Sequence, residues 1–217
     1  MNILLIGSGG REHSIALALA KSESTEKIYC SAGNPGIANL AEIVNLNASE
    51  HIDVASFCKL KNIDLVVIGP EQPLAEGLSD YLRLKNINVF GPSQFAAQLE
   101  TSKDFAKSLM FKNNIPTAFY RTFELYQYDE AHQYIDLHSL PIVIKADGLA
   151  AGKGVIIAES HAEAHNALTM IFNGEFGNAG SKVVIEEFMY GEEASVFAVC
   201  DGMNYVVLPA AQDHKRI

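Results

Sequence analysis

The chain has 217 residues, enough for one large or two modest domains with real cores, and its 48% hydrophobic and 19% charged contents are those of a globular α/β protein. Sixteen basic residues against 26 acidic ones leave a net charge of −10, which argues against nonspecific binding to nucleic acid or to an anionic membrane. Cys30, Cys58 and Cys200 are odd in number and form no CxxC pair, so they read as reduced thiols, mostly buried, not as a disulfide or zinc framework. The apolar start Ile3–Ile6 is too short for a signal peptide or a membrane span, and the expected compartment is the cytoplasm.

Strands are predicted at Ile3–Ile6, Lys27–Cys30, Asp64–Ile68 and Asn88–Phe90, with helices at Arg11–Lys21, Ser49–Lys61 and Leu74–Lys85 between them. Leu65 to Ile68 is continuously apolar, as a strand covered on both faces should be. This alternation predicts a doubly wound parallel sheet with ligands at the carboxyl ends of its strands. Three loops fall there: Gly7–Arg11, Gly33–Gly36 and Gly69–Glu71. Gly91-Pro92 then breaks the pattern, Ser93 offers an N-cap, and two short helices follow as far as Pro116. From Thr117 a strand, a helix at Tyr128–His138, two strands around a glycine-rich loop, a helix at His161–Phe172 and another strand make a small α+β lobe. Ser160 and Glu163 have the spacing of a capping box. Further strands are expected at Glu193–Cys200 and Tyr205–Leu208.

The first loop carries Gly7, Gly9 and Gly10 followed by Arg11, Glu12 and His13. A dinucleotide fingerprint requires glycine where this chain has Glu12, because that third glycine allows close helix–strand packing and a glutamate does not. A phosphate monoester on the backbone amides of Gly9 and Gly10, helped by the helix N-terminus and Arg11, fits better. The second glycine-rich loop, with Gly148, Gly152, Gly154, Lys145 and Lys153, lies between β-branched runs. Its glycine spacing, the absence of a hydroxyl residue after the lysine and the strand that follows exclude a P-loop. The pattern is a flap that brings backbone N–H groups and cations over a polyphosphate. Lys103 opens a helix, where the dipole disfavours a cation unless an anion compensates. Beyond the strand ending at Ile185, Glu186 can accept from an exocyclic amine and Glu193 can hold ribose hydroxyls. His161 and His165 share a helical face, which reads as solvated and not as a metal site.

Together these motifs resemble the ATP-grasp superfamily, and within it the glycinamide ribonucleotide synthetase (phosphoribosylamine–glycine ligase) family, over residues 1–217. The stretches carrying the resemblance are Gly7–His13, Gly69–Glu71, Ile144–Gly154, Ile185–Phe188, Gly191–Ser195 and Gln212–Arg216. It implies a Rossmann-like substrate domain over 1–101, a helical linker over 102–121, an ATP-grasp small lobe over 122–190 and the start of the large lobe over 191–217. The implied reaction joins 5-phosphoribosylamine to glycine through a glycyl phosphate, with ATP cleaved to ADP and phosphate, in purine synthesis. The resemblance assigns ATP to Lys103, Lys145, Gly152, Lys153, Gly154, Glu186, Glu187, Phe188, Met189 and Glu193, with adenine on Glu186 and on the backbone of 187–189. Gly9, Gly10, Arg11, Asn34 and Glu71 would line the phosphoribosylamine site, and Asp213, Lys215 and Arg216 would approach glycine and the transferring phosphate. The family's Mg²⁺ ligands, a Glu and an Asn, are expected beyond Ile217, so residues 1–217 alone are expected to be inactive. No nucleic-acid or membrane partner is implied. Another ATP-grasp ligase or carboxylase would share the flap without the Gly-Gly-Arg-Glu-His start, and a nucleotide-sensing module is the non-enzymatic alternative.

Overall fold

The computed structural model describes residues 1–150 and 153–212. Five parallel strands, β1 (Asn2–Gly7), β2 (Lys27–Ala32), β3 (Glu42–Ile43), β4 (Leu65–Ile68) and β5 (Val89–Phe90), form one sheet in the order β3-β2-β1-β4-β5. β1 pairs on both sides, Ile3 opposite Ile28 and Leu65, so Leu4 and Leu5 are fully buried, as a central strand covered on both faces requires. Helices α1 (Gly10–Ala20), α2 (His51–Leu60), α3 (Glu71–Ala75) and α4 (Leu78–Leu84) connect the strands. The single helix expected over Leu74–Lys85 is two, because Gly77 takes φ +86°, a left-handed conformation that ends one helix and starts the next. The two-residue edge strand β3 carries too little alternation to be predicted.

Two helices, α5 (Gln94–Thr101) and α6 (Lys103–Lys112), lead to the second lobe. Ser93 caps α5 through Ala96 N–H at 3.1 Å, and Ser102, in extended backbone, caps α6 through Phe105 N–H at 3.1 Å. The lobe's sheet comprises β6 (Tyr120–Glu124), β7 (Ile142–Ala146), β8 (Val155–Ala158) and β9 (Lys182–Glu187), all antiparallel, in the order β6-β9-β7-β8. α7 (Tyr128–Asp136) and α8 (His161–Phe172) cover one face, where Phe123, Ile142, Ile144, Val183 and Ile185 are fully buried. Residues opposed in the β7–β9 ladder point the same way, so Val143, Lys145, Val184 and Glu186 occupy the other face, toward α6. The strands β10 (Ala194–Ser195), β11 (Ala198–Cys200), β12 (Tyr205–Val207) and β13 (Ala211–Gln212) form two antiparallel pairs, β10 with β13 and β11 with β12.

Only half of the predicted capping box exists. Ser160 Oγ accepts from Glu163 N–H at 3.3 Å, but the Glu163 carboxylate accepts from Glu159 N–H at 2.9 Å, one residue before the cap. Ser160→Ala should lower stability by about 1 kcal/mol, the ordinary cost of losing an N-cap acceptor. A urea titration reads this directly, and an unchanged midpoint would mean that the Glu163 contact alone holds the helix start.

Candidate active site

The three loops predicted to converge do so at the carboxyl edge of the parallel sheet. Gly33 N–H bonds to Gly7 C=O at 3.0 Å, Gly69 N–H bonds to Ile6 C=O at 3.0 Å, and Asn34 Nδ2 donates to Ser8 C=O at 2.9 Å. Asn34 also accepts from Ile37 N–H at 2.9 Å, so its amide staples loop to loop. Glu12 corrects the sequence argument most directly. It lies 4% exposed inside the space that the fingerprint's third glycine would leave open. The room comes from its neighbours, since a Cβ on Gly7 or Gly69 would collide with the Glu12 side chain. One Glu12 oxygen accepts from Gly9 N–H at 2.6 Å, so that amide is already engaged, while Oε1 is buried without a hydrogen-bond partner. Gly10 faces open space, with nothing within 4 Å of an added Cβ.

Arg11 donates to Glu71 at 2.8 Å, joining two of the expected substrate ligands to each other. That bond raises the Arg11 pKa; burial alone would raise the Glu71 carboxyl, yet the Arg11 hydrogen bond and charge hold it below its ordinary value. Glu71 also lines a cleft of about 610 Å³ that continues into the second lobe. Its walls include Lys103, Ala106, Lys107 and Met110 on one face of α6, Lys145 and Glu186 on the open face of the sheet, and Gly148, Leu149, Ala150 and Gly154 of the flap. A larger cavity of about 710 Å³ runs beside Phe111, Ile115 and Phe119, but its charged residues are engaged elsewhere, Asp104 with Lys182 and Arg121 with Glu130. The smaller cleft gathers the predicted ATP-binding residues Lys103, Lys145, Gly154 and Glu186.

Within the cleft, Lys145 and Lys107 both bind Glu186 Oε2, at 2.8 and 3.0 Å, while Glu186 Oε1 is buried without a hydrogen-bond partner. Lys107 is the residue that sequence reasoning missed. Its signal was there: four residues after Lys103, it falls on the same helical face. The Lys103 ammonium donates to the carbonyls of Ala146, Asp147 and Gly148 at 2.8, 3.2 and 3.2 Å, and burial pushes its pKa down. The anion that compensates it at the helix start is Asp147, whose carboxylate accepts from Asp104 N–H at 2.7 Å and Ser102 Oγ at 3.1 Å. The root of the flap is thereby clamped to α6.

The flap lies between antiparallel β7 and β8, so no helix follows it. Its glycines answer first to packing: a Cβ on Gly148 would strike the Ala179 backbone, and one on Gly154 would strike Ala150. Lys153 is exposed and is not part of the cleft wall. Glu187 bonds to Phe119 through both its N–H (3.0 Å) and its carboxylate (2.9 Å), holding the β6 edge, so its amide is not free for a base. Phe188 and Met189 follow the strand end, Met189 exposed, and Glu193 is exposed outside the cleft wall. Gly152, Asp213, Lys215 and Arg216 lie outside the described residues. His161 and His165 are not on a solvated face. His161 bonds to His138 C=O at 3.1 Å, while His165 bonds to His132 at 2.6 Å and to Asp136 at 2.9 Å, tying α8 to α7. Cys200 is exposed, unlike the buried thiols Cys30 and Cys58. Among the described residues, no group of three or more His, Cys, Asp or Glu is placed to hold a metal, and no helix is long and apolar enough to cross a membrane.

A parallel-sheet domain joined through two helices to an antiparallel lobe, with a lysine-flanked flap over the cleft between them, is the architecture of an ATP-grasp protein. Residues 1–100 match the phosphoribosylglycinamide synthetase N domain, and residues 101–217 match its ATP-grasp (A) domain. The chain belongs to the phosphoribosylglycinamide synthetase family. It is 54% identical over 217 residues to the phosphoribosylamine–glycine ligase of Mesorhizobium japonicum, covering 100% of this chain and 51% of that protein. The crystal structure of phosphoribosylamine–glycine ligase from Thermotoga maritima superposes with a TM-score of 0.80 at 35% identity, over 100% of this chain and 51% of that one. The biotin carboxylase domain of the Hydrogenobacter thermophilus 2-oxoglutarate carboxylase, solved with MgADP, ADP and bicarbonate, shares the fold at a TM-score of 0.74 and 16% identity, over 97% of this chain and 49% of that one. The chain spans about half the length of the curated relatives it matches.

Proposed function

We propose that this chain carries the nucleotide and sugar-phosphate halves of an ATP-dependent ligase that joins 5-phosphoribosylamine to glycine. The observation that carries the reading is the position of Glu71. It is paired with Arg11 among the sheet-edge loops and also lines the cleft of Lys103, Lys145 and Glu186, so two substrate sites meet in one cavity. A carboxylate does not react with an amine unaided. Phosphorylation of glycine by ATP gives an acyl phosphate, the amine nitrogen attacks its carbonyl carbon, and phosphate leaves. The work of such a site is charge neutralisation and positioning.

In this reading Lys145 leaves Glu186 to meet a phosphate, and the flap from Gly148 to Gly154, with Lys153, covers it. Lys103 adds charge from the root of the flap. Adenine lies against Glu186 and the backbone of Phe188 and Met189, and Glu193 takes the ribose. The unpartnered Glu186 Oε1 suits an amine donor. Magnesium, when bound, would add charge neutralisation at the phosphates, on a Glu and an Asn expected outside the described residues. The sugar phosphate occupies the Gly10 and Arg11 end of α1, with Glu71 and Asn34 shaping the loops around it. Asp213, Lys215 and Arg216 approach glycine. The proposed division is a substrate domain over 1–101, a linker over 102–121, a small lobe over 122–190 and the beginning of a large lobe from 191.

Gly10→Val separates the two halves of the site. The open space at Gly10 accepts the side chain without disturbing packing, yet a branched group there blocks an anion from the helix N-terminus. In the full-length protein the KM for phosphoribosylamine should rise at least about tenfold, the order expected for losing one charge-assisted contact, while ATP affinity is unchanged. Loss of ATP binding with intact sugar-phosphate binding would place the nucleotide in the first domain instead.

A further inference from the structure

Glu186 has two lysine partners on one oxygen and none on the other, and the two lysines are held very differently. Lys107 is 11% exposed and anchored on several sides: Glu186 Oε2 at 3.0 Å, Thr117 Oγ1 at 2.8 Å, Ala118 C=O at 3.4 Å, with the Tyr120 ring centroid 5.6 Å away. Lys145 is 24% exposed on the cleft wall, and among the described residues Glu186 is its hydrogen-bond partner, at 2.8 Å. A cation with one partner beside an open cleft can exchange that partner for an incoming anion. One fixed by a hydroxyl, a carbonyl and a carboxylate has no such freedom.

We infer that Lys107 is a positioning residue for base recognition. It keeps Glu186 in place after Lys145 has moved to phosphate, and so holds Oε1 where only a donor-bearing purine edge satisfies it. This rests on the proposed placing of adenine at Glu186. Two cations share one carboxylate, and one of them is released to the nucleotide without freeing the carboxylate. Without Lys107, Glu186 has Lys145 as its remaining charge partner. Lys145 is then withheld from phosphate, or Glu186 swings loose when it departs. Either way the amine-reading oxygen loses its fixed direction. A carbonyl in place of the exocyclic amine would point lone pairs at Oε1, and that repulsion disappears when the carboxylate is free to turn away.

The test measures dissociation constants for ATP and for inosine triphosphate, which carries a carbonyl in place of the amine, in the full-length protein. Lys107→Met should lower the preference for ATP over inosine triphosphate by about tenfold or more, a part of the roughly 10⁴- to 10⁵-fold by which a site built to hydrogen-bond a substrate group rejects an analogue lacking it. Lys107→Arg, which keeps a cation over Glu186, should restore most of the preference. Thr117→Val leaves the lysine in place and removes the hydroxyl that holds it, so it should shift the preference in the same direction by less, and it serves where Lys107→Met does not fold. If both nucleotides weaken equally in Lys107→Met and Thr117→Val, the lysine only supports the fold and the inference is overturned. Glu186→Gln distinguishes the two levels of the argument. A changed preference there with none in the Lys107 and Thr117 variants defeats this inference alone. An unchanged preference in Glu186→Gln removes adenine from Glu186, and the inference falls with it.

Discussion

Lys145→Met should weaken ATP binding by about 10- to 150-fold, the equivalent of the roughly 1.5–3 kcal/mol carried by a charge-assisted hydrogen bond to phosphate. Turnover should fall further, because the transferring phosphoryl group bears its charge most fully in the transition state. The structure explains why the fold should survive. Lys145 is half-buried on the cleft wall, and when it goes Glu186 keeps Lys107 as its partner. Calorimetric titration of the full-length protein with ATP, alongside a urea melt within about 3 kcal/mol of wild type, is the measurement. Affinity and turnover both within twofold of wild type would remove Lys145 from the nucleotide site.

Glu186→Leu should do the reverse, costing stability first. It strands the Lys107 ammonium, 11% exposed beneath the sheet, with Thr117 and Ala118 as its remaining hydrogen-bond partners. Removing one member of a buried pair typically costs about 3–5 kcal/mol, because the surviving charge stays desolvated without its counter-ion. The double variant Glu186→Leu with Lys107→Met should recover most of that loss, since the two most buried charges go together and Lys145, 24% exposed on the cleft wall, is left to water. Unfolding midpoints for the two single variants and the double variant give the coupling directly. Strictly additive losses would mean that the two residues do not depend on each other.

The fold was legible in the chain wherever one period ran long enough. Leu65 to Ile68 announced a strand covered on both faces, and Ser93 announced a helix start. Gly77 was read through, because an isolated glycine in an amphipathic run looks tolerable until its φ is known. The cleft was legible as a set of residue types and not as a network. Lys145 and Glu186 were singled out separately, yet nothing in their 41-residue separation says that they bond to each other. Lys107 went unnoticed although it shares a helical face with Lys103, since the carboxylate it holds lies on a strand far along the chain. Asn34 and Glu187 carry a second duty that residue type alone does not announce: whatever they do for a ligand, their hydrogen bonds hold loops and an edge strand.

Glu12 and the two glycines around it leave a mark of a different kind. The glutamate fills the volume that side chains at positions 7 and 69 would need, and those glycines in turn leave the volume the glutamate occupies. The three positions therefore do not drift independently. An alanine at 69 becomes tolerable only in a background where residue 12 has already been shortened, and a longer residue 12 closes that route. Gly7, held at φ +131°, has a backbone reason of its own to stay as it is. Substitutions in this corner should thus accumulate in one order and not the other, and a chimera whose two parents differ at positions 12 and 69 inherits a mismatch, however similar the parents are elsewhere.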